Sequence, residues 1–136
     1  KPVFSQEIWQ GKLPTEPVTL DGSTIHRSVK FEGSVFMGKR CKVSEDVLLK
    51  GFVVLGEGCV IGPGSVIENC VLWDNVILGD MCSLDGSVVA TRANLGMGVN
   101  IREGCMVGEG ARLEDGYKLK NGQSIFPAKS SFPAEG

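Results

Sequence analysis

The chain has 136 residues, with 14 Lys and Arg against 16 Asp and Glu, a formal net charge of −2. That length fits one domain, and the near-balanced charge disfavours a partner held through nucleic-acid phosphates. Hydrophobic residues make 42% and charged residues 22%, which excludes wholesale disorder, and 19 Gly against a single His and a single Tyr point to many special turns between short buried strands.

Residues 1–24 carry no apolar signal core. Ser5 to Gln10 reads as the last turn of a preceding helix, with Gly11 as its stop and Pro14 and Pro17 in a linker. No later run approaches the roughly 20 apolar residues of a membrane span. The five Cys include no Cys-x-x-Cys pair, so neither a disulfide framework nor a zinc site is encoded. These features predict a reduced, cytoplasmic chain with no nucleic-acid and no membrane partner.

From Ile25 a repeat takes over. Steps of six lead through Phe31, Met37, Val43, Leu49, Leu55 and Ile61 to Ile67. A step of five reaches Leu72, two steps of six reach Leu84, and another five reaches Val89. Steps of six then run through Leu95, Ile101, Val107, Leu113 and Leu119 to Ile125. All 18 anchors are aliphatic, Phe or Met. A period of six suits neither a helix nor a plain alternating strand. It suits a short strand followed by a turn, three such units closing an 18-residue coil that stacks on the last at roughly 4.8 Å.

The fourth residue after the anchor is mostly small or β-branched, as at Val53, Cys59, Ser65, Val71, Val88 and Cys105. This predicts a second inward column. Gly follows the anchor in six units, and another Gly often comes two residues later, allowing sharp turns at positive φ. The two shortened units lie 17 residues apart, so both deletions fall at one corner of adjacent coils. Cys41, Cys59, Cys82 and Cys105 are expected as small core thiols. Cys70, in a shortened turn, is expected to be the most exposed thiol.

The middle residue of each strand should face solvent. In the early coils these positions read Phe36, Leu48, Val54, Val60, Val66 and Ile77. Later they read Ser83, Asn94, Asn100, Arg112 and Lys118, with Met106 the exception. Apolar outward residues on one half predict covered surface there, and Trp73, projecting at a corner, is a further contact candidate. Residues 126–136 hold two Pro and no anchor and read as a C-terminal tail.

This pattern resembles the hexapeptide-repeat, left-handed parallel β-helix, an all-β fold, here of about six triangular coils over residues 25–125. The segment Ser65-Val66-Ile67-Glu68-Asn69-Cys70-Val71-Leu72-Trp73-Asp74-Asn75 is similar to the C-terminal β-helix of sugar-nucleotide pyrophosphorylases, especially mannose-1-phosphate guanylyltransferases. Glu7-Ile8-Trp9-Gln10-Gly11-Lys12-Leu13 resembles that family's exit from the catalytic domain, and Ile125-Phe126-Pro127-Ala128-Lys129 its closing motif. The resemblance implies a non-catalytic oligomerisation or regulatory module. A separate N-terminal nucleotidyltransferase domain would join a nucleoside triphosphate to a sugar 1-phosphate with Mg²⁺, while this chain would hold no cofactor. The expected partners are further copies of the chain, that N-terminal domain, or both.

Four other readings are weighed against it. Gly108-Glu109-Gly110-Ala111-Arg112-Leu113 matches the Gly-x-Gly-x-Arg-Leu start of a pyrophosphorylase nucleotide loop, but its Val107 and Leu113 neighbours are anchors, so the repeat explains it. Hexapeptide acyltransferases share the fold and need a His as general base. The one His here, His26, follows the first anchor at a coil corner. A purely structural scaffold is the remaining alternative. The γ-type carbonic anhydrases need three His and are excluded.

Overall fold

A computed structural model describes residues 16–127. Within them the chain winds as a parallel β-helix with three short strands to each coil. The first face is a six-stranded sheet of Thr24–Ile25, Lys42–Val43, Val60–Ile61, Ile77–Leu78, Asn94–Leu95 and Arg112–Leu113. The second face ends with Val66–Glu68, Ser83–Asp85, Asn100–Ile101 and Lys118–Leu119. The third carries Val18–Thr19, then Val71–Leu72, Val88–Val89, Met106–Val107 and Ser124–Ile125. In the early coils the second and third faces are joined, because the strands Lys30–Met37 and Leu48–Leu55 run straight through the shared corner. No helix occurs among the described residues. The predicted helix end at Ser5–Gln10 and the tail beyond residue 127 lie outside them.

The anchors fill the inside of the coil. From Met37 to Leu119 every one is buried, and Ile25, Phe31 and Ile125 at the two ends pack partly buried against the same core. Thr19 pairs with Met37, so the parallel stack begins one strand ahead of Ile25.

Two expectations are corrected by the shortened units. Val71 and Val88 are half-buried and face outward, while Cys70 and Ser87 take the inward slots. The inward residue is set by lying two before the next anchor, where strand alternation puts both on one side. Counting four forward from the previous anchor works only when the turn is full length. Cys70 is therefore 1% exposed rather than the most accessible thiol.

The second inward column is chosen by size and by hydrogen bonding. Cys41 Sγ donates to the Gly56 carbonyl at 3.0 Å, Ser65 Oγ to Gly79 at 3.2 Å and Cys105 Sγ to Lys120 at 3.1 Å. Each acceptor is the first corner residue of the following coil. A small polar atom there gives a turn carbonyl a donor, and Ser and Cys take these slots alongside Val and Ala.

The glycines divide into two kinds with different physical causes. Those three residues after an anchor, such as Gly64 and Gly98, sit at φ +73 and +66. Six non-glycine residues, among them Asn75 and Met81, hold the same left-handed region. Those directly after an anchor, such as Gly62 and Gly79, have no positive φ. They are needed because the next coil's backbone passes directly over them.

Candidate functional site

The described residues contain no group of three or more His, Cys, Asp or Glu able to hold a metal. His26 is exposed in the first coil. Its Nδ1 accepts the backbone N–H of Ser28 at 3.1 Å and lies 2.8 Å from the Ser28 hydroxyl, which in turn accepts the Asp46 N–H. It is thus a local turn-closing residue. The Gly108–Leu113 segment is a β-helix corner. Gly108 N–H donates to Ile125, Gly110 N–H to Thr91 and Ala111 N–H to Gly108. Those three N–H groups are committed to the coil and are not aimed at a phosphate.

All five thiols are buried and unpaired as disulfides. Burial away from solvent pushes Cys70 up to about 11 and raises Cys82 as well. Cys41 and Cys59 stack on neighbouring coils, and their contact lowers Cys41 to about 7 while raising Cys59. Both S–H groups already donate to carbonyls, Cys41 to Gly56 and Cys59 to Trp73. Both sulfurs lie in residues at most 1% exposed, so a reagent reaches neither of them whatever their ionisation. A maleimide reagent should label none of the five in the native chain within an hour and all five in denaturant. Rapid native labelling of any one would contradict the placement of these side chains.

The outer surface carries the remaining candidates. Phe36 and Val54 are half-buried neighbours on the third face and Leu48 and Val66 on the second, while on the first half-buried Val60 pairs with exposed Ile77. Ile77 is 43% exposed, and Trp73, at the corner from third to first face, is 56% exposed. The seven residues are therefore spread around the coil and do not form one patch.

What forms one patch is the outward column of the third face. Val18, Phe36, Val54, Val71, Val88 and Met106 follow one another coil by coil, in register, without a polar interruption. Phe52 projects beside them, its ring 5.8 Å from that of Phe36. On the other faces the apolar stretch is only two residues long and polar residues close it: Lys42 and Asn94 bound Val60 and Ile77 on the first, and Lys30 and Ser83 bound Leu48 and Val66 on the second. The predicted division into apolar early and polar late coils thus gives way to a division by face. Val71 and Val88 were missed because the forward count turned them inward. Naming the residue immediately before each anchor would have found them.

A family model described as the EIF2B subunit epsilon LbH domain matches residues 19–119. Among solved structures, a mutant of perosamine N-acetyltransferase from Caulobacter crescentus, in complex with CoA and GDP-perosamine, superposes with a TM-score of 0.73 at 14% identity. The match covers 89% of this chain and 57% of that one, so the chain spans little more than half of its structural neighbour. The likeness shows a shared left-handed β-helix fold. A putative acetyltransferase from Bacillus cereus aligns at 24% identity over 77% of this chain and 69% of that one, with a TM-score of 0.41. The acetyltransferase domain of PglB from Neisseria gonorrhoeae aligns at 14% identity over 90% and 59%, with a TM-score of 0.45. A search of curated proteins gives no significant match. No helix among the described residues is long and apolar enough to cross a membrane.

Proposed function

Because the chain belongs to the family of EIF2B subunit epsilon LbH domains, we propose that it is a non-catalytic assembly and regulatory module of a sugar-nucleotidyltransferase-like protein. The chemistry belongs to a separate domain that makes a nucleotide-sugar of the GDP-mannose type from a nucleoside triphosphate and a sugar 1-phosphate. Mg²⁺ on this reading belongs to that domain. The observation that carries the assembly role is the unbroken apolar column of the third face. A single monomer rarely leaves such a stripe open to water. The nucleotidyltransferase part rests on the family and on the segment around Trp73, which resembles the β-helix of mannose-1-phosphate guanylyltransferases.

The fold is also used by acetyltransferases, but fold alone does not carry chemistry. The single His is held in a first-coil turn. The test is turnover by the purified chain. Neither pyrophosphate release from GTP and mannose 1-phosphate with Mg²⁺ nor thiol release from acetyl-CoA is expected. Either activity, if abolished by a single substitution such as His26→Ala, overturns the module reading.

A further inference from the structure

We infer that the third face is a homodimer interface, in which two copies pack face to face about a two-fold axis through Val71, with their coil axes antiparallel. The inference deepens the assembly role and depends on it. Its support is the charge pattern along the two edges of the apolar column.

The edge shared with the second face carries, in coil order, Glu32, Lys50, Glu68, Asp85 and Arg102. The edge shared with the first face carries Arg40, Glu57, Asp74, Arg92 and Glu109. A two-fold axis along the strand direction keeps each edge opposite itself and reverses the coil order. With the axis at Val71, Lys50 meets the partner's Asp85 and Glu32 meets the partner's Arg102. On the other edge Glu57 meets the partner's Arg92 and Arg40 meets the partner's Glu109. Glu68 and Asp74, in the axis coil, meet their own kind, and Glu103, next to Arg102, sets a carboxylate near the partner's Glu32.

Other registers fail. Moving the axis half a coil toward the N-terminus sets Glu32 against Asp85, Arg40 against Arg92 and Glu57 against Asp74. Moving it half a coil the other way sets Lys50 against Arg102 and Glu57 against Glu109. Like-charge contacts of this kind are what suppress wrong pairings. Within one chain Arg40 already pairs with Glu57 and Arg92 with Glu109. The dimer would join these two pairs into one alternating set of four charges.

The apolar column is complementary to itself in the same register. Val71 meets the partner's Val71, Val54 meets Val88, and Phe36 meets Met106, a favourable aromatic–thioether contact. Trp73 lies beside the axis, where the two indoles of the dimer come together and lose their 56% exposure. A parallel two-fold pairing would satisfy the edge charges as well, but it sets each Trp73 against the partner's Glu68 and Asn69. Coils stacked at roughly 4.8 Å make the column about 29 Å tall, and a side of five to six residues is about 17 Å wide. The flat projection of about 500 Å² per partner reaches the roughly 1,000 Å² total expected of a specific contact.

Mass measurement and cross-linking of the full 136-residue chain test this. Wild type should sediment as a dimer at tens of micromolar, with Val71→Lys weakening association roughly a hundredfold or more, unfolding cooperatively and losing only the concentration-dependent part of the unfolding temperature. Val54→Cys and Val88→Cys, mixed and treated with a short bis-maleimide, should give a linked dimer, while neither variant alone should. A monomeric wild type, a Val71→Lys chain that still dimerises, or self-linking by Val54→Cys alone overturns the proposal. Failure here leaves the turnover assays untouched, so the two readings fall separately.

Discussion

Leu78→Asp yields no cooperatively folded protein, whereas Ile77→Asp, one residue away, folds. Leu78 is 2% exposed and stacks between Ile61 and Leu95 inside the coil. The substitution removes a packed side chain, a loss of about 2–5 kcal/mol. It also buries a carboxylate among aliphatic neighbours, which either stays charged at a cost of several kcal/mol or takes up a proton and still lacks a partner. Together these rival the roughly 5–15 kcal/mol that stabilises an entire domain. Ile77 is 43% exposed and points out of the first face, beside Val60 and Asn94. A carboxylate there stays hydrated, and the expected loss is about 1 kcal/mol of strand preference and packing. Circular dichroism with urea unfolding reads both. A cooperative Leu78→Asp transition close to wild type would mean that the anchor ladder does not face inward.

Gly62→Ala and Gly98→Ala are the same chemical change with very different expected costs. A Cβ on Gly62 would lie 2.5 Å from the Gly79 carbonyl carbon and oxygen of the next coil. That is backbone, which can yield only by opening the stack, and the Gly62 N–H bond to Leu78 at 3.0 Å holds it closed. Breaking that contact costs a neighbouring ladder bond and packing, about 3 kcal/mol or more. A Cβ on Gly98 meets nothing within 4 Å. Its only penalty is the left-handed backbone at φ +66, worth about 1–2 kcal/mol. Equal urea midpoints for the two variants would contradict the assignment of these glycines to separate roles.

Much of this was legible in the residues. The step of six and the identity of the anchors reported burial directly, because an aliphatic side chain two residues from a small one can share its side only on a strand. His26 and the Gly108–Leu113 segment were also placed correctly as turn features, since their immediate neighbours are anchors. Spacing alone makes every repeat glycine a turn former. That holds for Gly58 and Gly98, but Gly62 and Gly79 answer to the coil above them, 17 residues away in sequence.

The contact surface shows where local reading stops. By itself the sequence determined the repeat, the coil length and the inward anchors, because each follows from spacing within one or two units. A five-residue unit is ambiguous to such counting, since it does not tell on which side of the turn the residue was lost. The pairing of Val54 with Val71, and of Val71 with Val88 and then Met106, removes the ambiguity. Hydrogen bonds between coils demand that outward residues stack on outward residues. Residues 17 or 18 apart thus become nearest neighbours, and which face each outward residue joins was decided only by the tertiary stack.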